Sequence, residues 1–175
     1  MESTRQRVFV GLDNVLMDIN VRLAAFDKVD ASSFQHGRLC YSATVRPSSA
    51  DFLSDLASEF DVFVISTFDE DLMVQLLEAA GLMRFIQGVV NFRIDGFSAK
   101  LPAGPFVLVD ALEVFKRDVQ VALDVLHADN VARMSTADYL ALTDKHYLRC
   151  LFFFANEEDA QPLTALAPAI RQRLS

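Results

Sequence analysis

Val8-Phe9-Val10-Gly11-Leu12-Asp13-Asn14-Val15-Leu16 opens as a continuously apolar run and turns polar at Asp13 and Asn14. A run without polar alternation, rich in β-branched and aromatic side chains, suits a strand whose two faces both meet apolar layers. Val62-Phe63-Val64-Ile65 and Phe106-Val107-Leu108-Val109 have the same character, and each also ends at a polar residue. Three such strands predict a parallel sheet, and parallel neighbours need crossover connections, which are usually helices.

Working outward, apolar residues recur at helical spacing between and after these runs. Leu16, Ile19, Leu23 and Phe26 form one stripe; Phe52, Leu53, Leu56 and Phe60 form a second, opened by Pro47 and Ser48. Leu72, Leu76, Leu77 and Ala80 follow acidic residues at 69–71 and stop at Gly81, which suits a helix C-terminus. Leu112, Phe115, Val119, Leu123 and Leu126 form another stripe. The last third predicts a strand near Val131 and Met134, a short helix after Ser135, a strand from Tyr147 to Phe154 and a closing helix carrying Leu163, Leu166, Ile170 and Leu174. The expected fold is α/β, a Rossmann-like three-layer sandwich around a mainly parallel sheet. Residues 29–46 break the rhythm, and a small cap or flap is expected there within a single domain over 1–175.

Composition bounds the function. The chain has 175 residues, 52% of them apolar, enough for one sizeable core. Its formal charge of -8 argues against nucleic acid, whose binding rests on Lys and Arg neutralising phosphates. The polar opening over 1–7 lacks an apolar leader core, and no run approaches the ~20 apolar residues of a membrane span, so a cytoplasmic protein without membrane contact is expected. Cys40 and Cys150 lack metal or disulfide spacing and are expected to be buried thiols. His36, His127 and His146 show no ligand spacing and are expected on the surface or in loops. Phe152-Phe153-Phe154 is expected to continue a buried strand.

Ligands of open parallel sheets bind beyond the carboxyl ends of the strands. The residues ending the three runs, Asp13, Ser66 with Thr67, and Asp110, should therefore converge, and Lys100 lies near the last strand. Two carboxylates, two hydroxyls and a lysine could cradle magnesium and a phosphate. The same residues also fit a bland role, with Asp13 and Asp110 as helix caps, Ser66 as a turn residue and Lys100 solvated.

The stretch from Val8 to Leu16 resembles the first motif of the haloacid-dehalogenase-like (HAD-like) superfamily: apolar strand, Asp, any residue, Asp, then Gly, Thr or Val, and Leu. In that family the first aspartate is the nucleophile and a magnesium ligand, and the second is the general acid and base. Gly11 stands at the first position and Asp13 at the second. Ser66, beside Thr67, resembles the phosphate-binding end of the second motif; Lys100 resembles the third-motif lysine. The fourth motif, normally a pair of acids, is similar to Asp110 followed by Ala111. The ordered resemblance runs over 7–114. The opening motif and lysine spacing are similar to 5'(3')-deoxyribonucleotidases, whereas Arg46-Pro47 before a helix resembles the small carboxy-terminal-domain phosphatases. A flavodoxin-like or response-regulator-like sheet is the remaining alternative.

The departures have physical consequences. The family reaction, as the resemblance implies it, is carboxylate attack on phosphorus with magnesium shielding the charge. Glycine offers no nucleophile and removes a metal ligand, and Ala111 removes another acid. Asp13 sits two residues on, roughly 6 to 7 Å away along an extended strand, too far to take over in-line geometry. What remains implies a weakened metal site at Asp110 and Asp13, with Ser66, Thr67 and Lys100 for phosphate. The expected role is a pseudo-phosphatase that binds a protein partner or a small phosphorylated ligand; a residual magnesium-dependent phosphohydrolase acting on nucleotides or phosphoproteins is the alternative.

Overall fold

The computed structural model describes residues 5–23, 33–36, 39–91, 105–111 and 115–175. The strands are β1 (Arg7–Gly11), β2 (Met17–Leu23), β3 (Ser33–His36), β4 (Leu39–Val45), β5 (Asp61–Ser66), β6 (Gly88–Asn91), β7 (Phe106–Asp110) and β8 (Tyr147–Arg149). The helices are α1 (Ser49–Ala57), α2 (Glu70–Ala79), α3 (Lys116–Leu126), α4 (Ala128–Val131), α5 (Thr136–His146) and α6 (Ala167–Leu174). None of them is long and apolar enough to cross a membrane.

The central sheet has the order β6-β5-β1-β7-β8, and every pairing in it is parallel. The three apolar runs are its middle strands, and each is covered on both faces. Val8, Val10, Val62, Val64, Val107 and Val109 face one way, against α1, α2 and α6. Phe9, Ile65, Phe106 and Leu108 face the other way, against Val119, Ala122 and Leu123 of α3. Alternate residues of one strand thus feed two cores, which makes the fold an α/β three-layer sandwich. Burying each of the large side chains stabilises the fold by roughly 1.5–3 kcal/mol.

A second, antiparallel sheet of order β2-β4-β3 is inserted between β1 and α1. Segment 29–46 contributes β3 and β4, and the sheet's first strand already begins at Met17. The helix expected over Leu16, Ile19, Leu23 and Phe26 is therefore a strand as far as the described residues reach; Phe26 lies outside them. The strict alternation Met17-Asp18-Ile19-Asn20-Val21-Arg22-Leu23 is a period of two, and it outweighs the sparser helical spacing.

Two more expectations change. Val131 and Met134 lie in α4 and the turn after it, not in a strand. The last strand stops at Arg149 because its ladder partner, β7, stops at Asp110. Beyond it Leu151 finds side-chain partners: its N–H donates to Gln161 Oε1 at 2.8 Å, and its carbonyl accepts from Arg46 Nη1 at 3.1 Å. Phe153 is buried, but Phe152 and Phe154 are exposed and stack on one another, so the expected buried strand fails at these two residues. Cys40 and Cys150 are free and buried.

Candidate functional site

The parallel register brings the carboxyl ends of β1, β5 and β7 together, with Gly11 paired to Ile65 and Val10 to Val109. After Gly11 the chain turns at once. Leu12 N–H donates to the Ile65 carbonyl at 3.0 Å, and the Leu12 carbonyl accepts from Leu16 and Met17. Asn14, with φ 58, supplies the left-handed residue this turn requires, a conformation Asn tolerates better than most side chains.

Asp13 sits on this turn, half-buried. Burial raises its carboxyl pKa above the ordinary value and outweighs backbone N–H donation from Ile19, while the neighbouring Asp18 charge raises it further. Ser66 ends β5 and is buried; its hydroxyl accepts from Phe68 N–H at 3.2 Å, closing a turn that carries Thr67. Asp110 ends β7 at 1% exposure, and its Oδ1 accepts from Ala111 N–H at 2.8 Å.

Gly11, Asp13, Ser66, Thr67 and Asp110 line one crevice of about 140 Å³, walled by Phe68 and Phe115. Lys100 lies outside the described residues. Ala111 is fully buried within the apolar core, so the residue after Asp110 offers a packed methyl group and no carboxylate. The glycine at position 11 answers to space and not to backbone conformation, since its φ is not positive. A Cβ there would lie 3.0 Å from Val15 Cγ2, 3.3 Å from Asp110 Oδ1 and 3.5 Å from the Val109 carbonyl.

Magnesium needs about six oxygen ligands, commonly one or two carboxylates with water and phosphate oxygens. The described residues hold no group of three or more His, Cys, Asp or Glu that could bind a metal. Asp13 and Asp110 alone are an incomplete set for such an ion.

Three features of the site were not anticipated from sequence. Phe68 and Phe115 wall the crevice, and Phe68 meets Tyr41 of β4 edge-on at 5.8 Å, which ties the second sheet to the site. The third is Arg46, fully buried behind the crevice. Its Nε and Nη2 donate to Asp159 Oδ1 at 3.0 and 2.7 Å; the remaining bonds reach the carbonyls of Val15, Leu151 and Gln161. Burial alone would raise the Asp159 pKa, but the Arg46 hydrogen bonds and charge bring it below the ordinary value. The arginine thus holds the turn after β1 to the C-terminal segment. An Arg-Pro pair closing a strand was its only trace in the sequence.

No family model matches the chain, and no curated protein matches its sequence. Solved structures do. A beryllium-fluoride-bound arginine-to-alanine variant of Fcp1, the fission yeast RNA polymerase II CTD phosphatase, is 12% identical with a TM-score of 0.52, over 97% of this chain and 50% of that one. A second structure of Fcp1, an essential RNA polymerase II CTD phosphatase, is 15% identical with a TM-score of 0.49, over 97% and 51%. The chain spans about half the length of the structures it matches. The first likeness shows a shared α/β fold and carries no activity across.

Proposed function

We propose that this chain is a pseudo-phosphatase: a HAD-like scaffold that no longer turns over phosphate esters and acts by binding a protein partner or a small phosphorylated ligand. The observation that carries the reading is Gly11. The position that resembles the family nucleophile has no side chain, and the space one would enter is bounded by a Val15 methyl at 3.0 Å and by Asp110 Oδ1 at 3.3 Å. Attack on phosphorus needs a nucleophile in line with the leaving group. Asp13 lies on the following turn, and its raised pKa suits proton transfer better than attack. The sheet of β2, β3 and β4 serves as a flap on a single folded unit, and the acidic chain acts in the cytoplasm.

Binding to a protein gains support from the aromatic pair Phe152 and Phe154. Their rings stack at 5.7 Å beside the exposed Leu151, an uncommon apolar display for a free surface. Phe153 N–H donates to the Asn14 carbonyl at 2.9 Å, so the display is anchored next to Asp13. A segment already fixed loses little entropy on docking.

One observation favours a second reading, a residual magnesium-dependent phosphohydrolase: Asp13, Ser66, Thr67 and Asp110 still line one crevice. Magnesium would then rest on Asp110 and Asp13, with ligand oxygens filling the other positions, and Lys100 would offset phosphate charge.

Hydrolysis of an aryl phosphate with magnesium, in the parent and in Asp13→Asn, separates the two. The pseudo-phosphatase reading expects no turnover above buffer in either protein. Parent turnover abolished in Asp13→Asn would overturn it.

A further inference from the structure

At the opposite end of β7 from Asp110, roughly 13 Å away along the strand, a cleft of about 280 Å³ opens between the C-terminal ends of α3 and α5. Phe106, Leu126 and Leu142 give it apolar walls, and its polar lining is His127, Lys145 and His146. We propose that this cleft binds a small organic monoanion, a carboxylate on an aromatic or branched apolar body.

His146 is not the surface residue that sequence suggested: it is 7% exposed and lies on the Phe106 ring at 4.6 Å. Its Nδ1 is 2.7 Å from the Phe106 carbonyl, which can only accept, so Nδ1 carries the hydrogen. Nε2 is left as the nitrogen that changes from acceptor to donor when the ring is protonated. Burial lowers the His146 pKa, the Phe106 carbonyl partly offsets this, and the charged neighbours acting on it are Lys145 and His127, both basic. Three basic groups therefore converge on an apolar cleft in a chain whose formal charge is -8.

Several carbonyls at the two helix ends already have donors other than these side chains. His127 N–H caps Leu123, and the His127 carbonyl accepts from Asn130 and Val131. Tyr147 N–H takes the Thr143 carbonyl, and Arg173 takes that of Asp144. Lys145 is the one formal cation of the three, with histidine counted neutral, which matches a monoanion better than a dianion. The apolar walls favour a body over a bare ion.

The test follows the histidine ring signals of the intact protein by NMR while benzoate is added, with benzamide as the neutral isostere. Benzoate is expected to shift His127 and His146 saturably, with a Kd of about 1 mM, to raise the titration midpoint of His146, and to leave His36 unmoved; benzamide does neither. Lys145→Gln, an exposed change, is expected to weaken the response about tenfold. Equal responses to benzamide, no saturation, or an undiminished response in folded Lys145→Gln would overturn the proposal. The benzoate-benzamide comparison on the parent decides it even if the variant fails to fold.

Discussion

Arg46 and the crevice beside it bury charge in opposite ways. Arg46 has its five N–H groups engaged with Asp159 and three carbonyls, and the Phe153 ring lies 5.7 Å from its guanidinium carbon. It joins the turn after β1, the end of β4 and the segment after β8 into one hydrogen-bonded node. The crevice instead gathers two carboxylates and two hydroxyls around Gly11, which has no side chain. Cys150 feels both regions: burial pushes its thiol up to about 11, the Arg46 charge opposes this, and the Asp110 charge adds to it. Such a thiol is inert. Arg46 is held by a full set of acceptors, whereas Asp13 keeps its carboxyl against the cost of burial.

The largest effect should come from breaking the node. Arg46→Ala leaves Asp159 and three carbonyls without their donor, and removing one partner of a buried ion pair costs about 3–5 kcal/mol. That is a large part of the stability of an ordinary domain. The urea midpoint should fall accordingly. Arg46→Lys should recover little of the loss, because an ammonium cannot reproduce the planar fork. A loss under about 1 kcal/mol would mean that the node is peripheral and the comparison false.

A smaller effect is expected at Gly11. Gly11→Asp sets a Cβ 3.0 Å from Val15 and brings a carboxylate toward Asp110, so overpacking and like charge together should cost about 1–3 kcal/mol. Adding Val15→Ala should return part of it, seen as favourable coupling in a double-mutant cycle of urea midpoints. Additive costs would show that Val15 does not guard the position.

How much of this was legible differs between the two regions. The middle strands and the convergence of Asp13, Ser66, Thr67 and Asp110 follow from continuous apolar runs ending in polar residues, a local pattern. The Arg46 node is nonlocal, since Asp159 and Gln161 lie more than a hundred residues on. No spacing signals such a contact. β2 carries a double signal because Ile19 and Leu23, four residues apart, fit both periods, and only the polar residues between them decide. Phe152 and Phe154 escaped because a strand's length depends on its partner's, and β7 ends before they begin.

The smallest effect carries the sharpest sign. Asp13 has its pKa raised in the folded protein, so the native state disfavours its ionised form. An unfolded carboxyl ionises first, near 3.8, and the stability this group contributes falls as pH climbs from there through the folded value. Asp13→Asn removes that penalty. The variant should unfold at a higher urea concentration than the parent at pH 7, by less than about 1 kcal/mol since the group is only half-buried, and at the same concentration near pH 3. Arg46→Ala should differ in sign, a loss that is largest at pH 7 and shrinks as pH falls and Asp159 is protonated. If Asp13→Asn is the less stable protein at pH 7, the carboxylate is held by a partner as Arg46 is, and the two regions are built alike.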